Sequence, residues 1–269
     1  MALPFLPSDA GLIGLQAAVV AAPRIAPGVE RLKRLTGRGW ALIPLASIVI
    51  VVFAIRYVSD TATGLTYLAL VAVPILAAGA LGWAARGARP VAALGAVVLF
   101  AIAWTWRTSL PGEAAAAILA ALSCVTLGVL LAAVTPPVWL KLGIVLMAAA
   151  DTWLVVTDLL QAPNATLVAA APGGGLPQLQ SEVFGSVSLG YGDLFVAALL
   201  GAVLVADRRR QREAALLTFV LAAAFDLLFL AVSELPATVP VALALLVEEC
   251  WHRYTSRRSR LSAEVAATG

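Results

Sequence analysis

The chain has 269 residues, 62% hydrophobic and only 12% charged, with a mean hydropathy of +0.97 and a formal net charge of +3. Soluble domains are about half apolar and about a quarter charged, so this composition excludes one and indicates an integral membrane protein. Two cysteines in different apolar segments, Cys124 and Cys250, and a single histidine, His252 beside Arg253 in a basic tail, exclude a disulfide framework, a histidine-based metal centre and a Ser-His-Asp triad, and no cofactor is expected.

A spanning helix needs about 20 mostly apolar residues. In chain order, spans are predicted at 9–23, 40–58, 64–85, 90–107, 113–134, 138–160, 187–206, 214–234 and 236–251. The first is short and the last begins with proline. No basic stretch precedes the first apolar segment, so no cleavable signal peptide is expected. The expected fold is all-α: a polytopic transmembrane bundle of about nine spans, with no soluble domain. Residues 1–134 read as N-terminal scaffold helices, 135–252 as the part carrying the chemistry, and 253–269 as a tail.

Lysine and arginine set orientation. Basic connections (Arg24 to Arg38, Arg86 and Arg89, Lys141's flank, and DRRRQRE at 207–213) alternate with connections poor in them around Asp60, at 161–186 and around 235. With nine spans this places the protein in the cell membrane as a multi-pass chain with a cytoplasmic C-terminus. The basic stretch LKRLTGR at 32–38 reads as a positive-inside anchor on the lipid bilayer rather than a nucleic-acid site, and the tryptophans near span ends read as interfacial belts. The connection 161–186 is long and holds three prolines and three consecutive glycines, which excludes a continuous helix and leaves either a tether or a functional loop.

Four aspartates fall within predicted spans: Asp151, Asp158, Asp193 and Asp226. Each such residue is costly in a membrane, by about 2.5–3.5 kcal/mol on insertion scales, and marks a candidate functional site. Asp158 lies within a turn of a predicted span end, and Asp226 reads first as a carboxyl hydrogen-bonded between helices. Counting from the outer ends of their spans, Asp151 is about 10 residues in and Asp193 about 6, roughly 15 and 9 Å of helix. Two carboxylates at a similar level on consecutive spans are suited to share one proton. The ionised member then takes a proton from water while the protonated member polarises a carbonyl. Gly190 and Gly192 straddle Tyr191 just ahead of Asp193, where glycine lets backbone approach closely.

With these residues in place the chain resembles the GxGD intramembrane aspartyl proteases, the presenilin and signal peptide peptidase group, as a prokaryotic homologue. Gly190-Tyr191-Gly192-Asp193 matches the motif of that group's seventh helix, and Asp151 matches the catalytic aspartate of its sixth. The group usually has Tyr before that aspartate, where this chain has Ala150; Asp158 is the alternative. The group's Pro-Ala-Leu element at the last helix appears as Pro236-Ala237-Thr238, or shifted to Pro240. The resemblance is specific over 145–245. It implies a presenilin-like fold and water activation by Asp151 and Asp193. It also implies cleavage within transmembrane helices of other proteins, with Gly190, Tyr191, Gly192, Pro236, Ala237 and Thr238 contributing to the active site. In that group part of the unwound substrate pairs as a β-strand, an edge that ATLVAAA at 165–171 is expected to supply. The orientation matches the signal peptide peptidase branch, whose substrates are signal peptides and type II membrane proteins. Three rival readings remain. Prepilin peptidases share GxGD but usually continue Val-Lys where this chain has Leu194-Phe195; the others are a proton-coupled transporter or channel, and an inactive helix-binding homologue. Partner subunits and oligomeric state are not legible.

Overall fold

A computed structural model describes residues 7–44, 46–47, 50, 54, 61–157, 159, 165–167, 169–170, 172–185, 187–230 and 235–268. Most of these are helical. The α-helices in chain order are α1 (Pro7–Ala21), α2 (Thr61–Gly79), α3 (Leu94–Thr105), α4 (Leu110–Val134), α5 (Pro137–Val156), α6 (Tyr191–Val203), α7 (Arg208–Asp226) and α8 (Val239–Thr268). A two-stranded antiparallel hairpin, β1 (Ser181–Phe184) and β2 (Val187–Gly190), precedes α6. Three of the helical stretches, Thr61–Ala84, Leu110–Val134 and Pro137–Val156, are long and apolar enough to cross a membrane. The span predicted at 40–58 falls mostly outside the described residues.

Hydropathy located the helices but not their ends. The helix expected at 214–234 begins at Arg208, because Asp207 caps it: its Oδ1 accepts the backbone N–H of Arg209 at 3.0 Å and of Arg210 at 3.2 Å. The span expected to run from 138 to 160 stops at Val156, where the Thr157 hydroxyl and N–H both turn back to the Trp153 carbonyl. The span expected from 187 starts at Tyr191, since Val187–Gly190 is paired as a strand. Among the described residues, the hairpin is the only paired sheet in an otherwise helical chain.

α6 is the centre of the bundle. Leu194, Val196, Ala197, Leu199 and Leu200 are all buried in it, against α4, α1 and α5. Its crossing with α4 is close: a Cβ on Gly128 would stand 2.9 Å from the Ala198 carbonyl carbon. On the other flank Gly201 meets the Val20 carbonyl of α1, with no room for any side chain. Small residues at such crossings let helix backbones approach within van der Waals contact. By contrast, α5 exposes Val138, Trp153 and Val156 on its outer face, each 67–75% accessible.

Polar groups tie the helix ends at the α7 N-terminus. Gln211, fully buried, donates to the carbonyls of Pro23 and Gly201, both at 3.0 Å, and accepts from Arg86. Replacing Gln211 with Leu strands these partners. Stranding a buried polar group costs about 1–3 kcal/mol, so the melting temperature is expected to fall by about 5 °C in detergent. An unchanged melting curve would show that the three partners find water instead. Nearby, Lys141 of α5 pairs with Glu249 of α8 at 2.5 Å, and Arg210 of α7 pairs with Glu248 at 2.7 Å and Glu249 at 2.9 Å.

Candidate active site

The hairpin delivers the GxGD segment. Phe184 pairs with Val187, so two residues connect the strands, and Gly185 takes the left-handed conformation (φ 65°) that such tight connections require. β2 ends on Gly190, extended at φ −76° and ψ 144°, which serves as the N-cap of α6. Asp193 is the third residue of the helix. Its Oδ2 accepts the Gly190 N–H at 3.0 Å, so the carboxylate folds back over the helix start. Tyr191 anchors the turn to α4, its hydroxyl 2.7 Å from Ser123 Oγ. Gly192 has a different character: a Cβ there would meet nothing within 4 Å. No packing in the free protein requires glycine at that position, which leaves an open space beside Asp193.

The second half of the site comes from α5 and the turn before α8. Pro236 and Thr238 are buried, and Thr238 offers its carbonyl to the N–H of Ala242 as α8 begins. Its hydroxyl does not cap that helix. Instead Thr238 Oγ1 donates to Asp151 Oδ2 at 2.6 Å, a contact between α5 and the α8 turn. Thr238 thus supplies a hydroxyl donor directly to the acid. Asp151 and Asp193 are close enough that the charge of one acts on the other.

Asp151 is nearer its helix end than the sequence indicated, because α5 closes five residues later at Val156. Asp193 shifts the same way, being third in α6. Both acids thus lie nearer the ends of their helices than hydropathy indicated. Asp158 lies outside the described residues. The strand edge expected at 165–171 is not formed by its described part, since 165–167 and 169 are helical. Alanine is a poor strand former, whereas Val183-Phe184 and Val187-Ser188-Leu189 are β-prone runs, the second alternating as a half-buried strand does. The strands of the structure lie instead at 181–184 and 187–190, which a Gly-Ser pair between two short β-prone runs would have signalled.

Two features escaped the sequence reading. Asp193 lines a cavity of about 110 Å³ together with Asp9, Gln16, Leu189, Asp226 and Ala237. A water needs only about 10–15 Å³ of such space, so several fit beside the carboxylate. Asp226 faces this cavity, with Asp9 of α1 as its charged neighbour, rather than bridging to a helix by a hydrogen bond among the described residues. The other feature is Gln16, buried in α1, whose Nε2 donates to the Ala237 carbonyl at 2.9 Å. Compared with protein-family models, curated proteins and solved structures, the chain matches none.

Proposed function

We propose that the protein is an intramembrane aspartyl protease of the GxGD type, cutting peptide bonds within transmembrane helices. The observation that carries this reading is a chain of contacts from elements far apart in sequence: Thr238 holds Asp151, the charge of Asp151 acts on Asp193, and Asp193 lines a small cavity with room for water. The ionised carboxylate of the pair takes a proton from water as the water oxygen bonds to the scissile carbonyl carbon. The protonated carboxyl gives its proton to the carbonyl oxygen, leaving a gem-diol. Collapse of the diol breaks the C–N bond: the carboxyl that holds a proton gives it to the leaving amine nitrogen, and one diol hydroxyl returns its proton to the ionised carboxylate, leaving a carboxylic acid product and a dyad with one proton as at the start. No metal and no nucleophilic side chain is needed.

A helical peptide bond is shielded by its own hydrogen bonds, so the substrate must unwind before it is cut. β2 supports that step. Among the described residues it pairs only with β1, and Val187 and Leu189 border the cavity that reaches Asp193. An unwound substrate segment would add to this edge by strand addition, with the open space at Gly192 admitting its backbone. In this reading the chain is a nine-span, presenilin-like protein of the cell membrane with its C-terminus in the cytoplasm. Signal peptides and type II membrane proteins are its substrate class. The test is purified protein with a synthetic type II transmembrane peptide. Cleavage blocked by a hydroxyl-bearing transition-state mimic of aspartic proteases is expected; an uncut panel of such peptides would remove the reading.

A second reading, a proton-coupled transporter, rests on Asp9, Asp226 and Asp193 lining one cavity, since intramembrane acids also serve as proton relays. The two part at Asp226. In the protease it is peripheral, and Asp226→Asn is expected to keep cleavage within about threefold of wild type. A proton flux into proteoliposomes that Asp226→Asn abolishes would decide for the transporter.

A further inference from the structure

α1 was expected to be scaffold. Its sequence is apolar from Gly11 to Ala21 except for one polar side chain, Gln16, and that side chain is 2% exposed. A buried amide in an apolar helix is often only glue between helices. Here its partner is the central residue of the Pro236-Ala237-Thr238 turn, and the next residue of that turn holds Asp151. One helical turn further along the same face, the Val20 carbonyl of α1 sits against Gly201 of α6, the helix that carries Asp193. α1 therefore touches both halves of the site. The Gly201 contact sets its register on the Asp193 helix, and Gln16 passes that register to the turn that seats Asp151.

We propose that Gln16 is a positioning residue for the Asp151–Asp193 pair, fixing through Ala237 and Thr238 where Asp151 stands relative to Asp193. The proposal rests on the protease reading for its kinetic consequences but not for its geometry. The donor matters: the Ala237 carbonyl needs an N–H or O–H, which Gln supplies and Met, of similar shape, does not. Glu supplies one only when protonated. The titratable groups facing position 16 are Asp9 on its own helix, Asp193 on α6, Asp226 on α7 and, through Thr238, Asp151.

The experiment compares wild type, Gln16→Met and Gln16→Glu in two measurements. In peptide cleavage, Gln16→Met is expected to lose roughly ten- to hundredfold in kcat with KM little changed, the cost of a misplaced catalytic group. The kcat of Gln16→Glu relative to wild type should climb as pH falls from about 8 to about 5 while that of Gln16→Met stays flat, a signature that lost packing alone would not give. In hydrogen exchange, the amides of Val239 and Ala242, bonded to Pro236 and Thr238, should exchange about tenfold faster in Gln16→Met. Wild-type kcat in Gln16→Met, or parallel pH profiles for the two variants, overturns the proposal while leaving the protease reading standing. If wild type cleaves nothing, the protease reading falls and the exchange measurement decides alone: faster exchange at both amides supports the positioning contact, and unchanged exchange overturns it.

Discussion

Replacing Asp193 with Asn is expected to lower cleavage of a type II transmembrane peptide by roughly 10²–10⁴-fold, and Asp151→Asn to do the same, the range that loss of a general acid–base group produces. The substitution is chosen for what it preserves. Asparagine keeps an oxygen for the Gly190 N–H, and at position 151 it keeps one for the Thr238 hydroxyl. Asparagine is also as good as aspartate in local capping roles at a helix start. A carboxylate that only closes the first turn of α6 would therefore be replaced without loss, and full activity in Asp193→Asn would reduce the residue to a cap. What asparagine cannot do is accept a proton from water. The double variant should be no worse than either single one, because the two acids work as a unit. If Asp151→Asn stays active and Asp158→Asn does not, the acid opposite Asp193 is Asp158.

Gly128→Leu is expected to have the largest effect on folding. The Cβ alone would press to 2.9 Å on the Ala198 carbonyl carbon and 3.0 Å on its oxygen, which are backbone atoms that cannot rotate away. The two helices would have to separate along the most extensive helix–helix contact among the described residues. Overpacking costs about 1–3 kcal/mol in ordinary cores and more where backbone must move, so the melting temperature should fall by about 10 °C or the folded yield collapse. Gly64, with nothing within 4 Å of its Cβ position, is the control: Gly64→Leu should leave melting unchanged. Equal melting of both variants would mean that the α4–α6 crossing is looser than described.

The parts of this site that were legible in sequence are those where composition and local chemistry agree. Apolar runs gave the helices, and an aspartate behind paired glycines at a helix start stood out because a carboxylate in an apolar run needs a reason. That Asp151 lies within electrostatic reach of Asp193 was expected from counting residues from span ends, and the charge of one acts on the other in the structure. The ends themselves were not legible, because hydropathy is blind to caps: Asp207 and Thr157 decide where helices begin and stop by hydrogen bonds to one or two backbone groups. The hairpin was hidden by its position. Val187 to Leu189 are apolar enough to merge with the helix that follows, and only strand pairing separates them. Gln16 was hidden for a different reason. A run of small and apolar residues scores alike whether it faces lipid or protein, so nothing local says that one amide in it reaches a turn 221 positions away.

The shortness of α6 bears on where a substrate would be cut. Thirteen residues make a rod of about 20 Å, and the fifteen of α1 make about 22 Å, against a hydrocarbon layer of about 30 Å. In a bilayer, neither helix at the site spans the oily slab unaided. α6 is enclosed by α4, α1 and α5 rather than by lipid, and the chain continues as the hairpin on one side and the turn at Leu204 on the other. In the protease reading, the acid-bearing end of this short rod is where a substrate helix of ordinary length, longer by about 10 Å or roughly seven residues, would be cut.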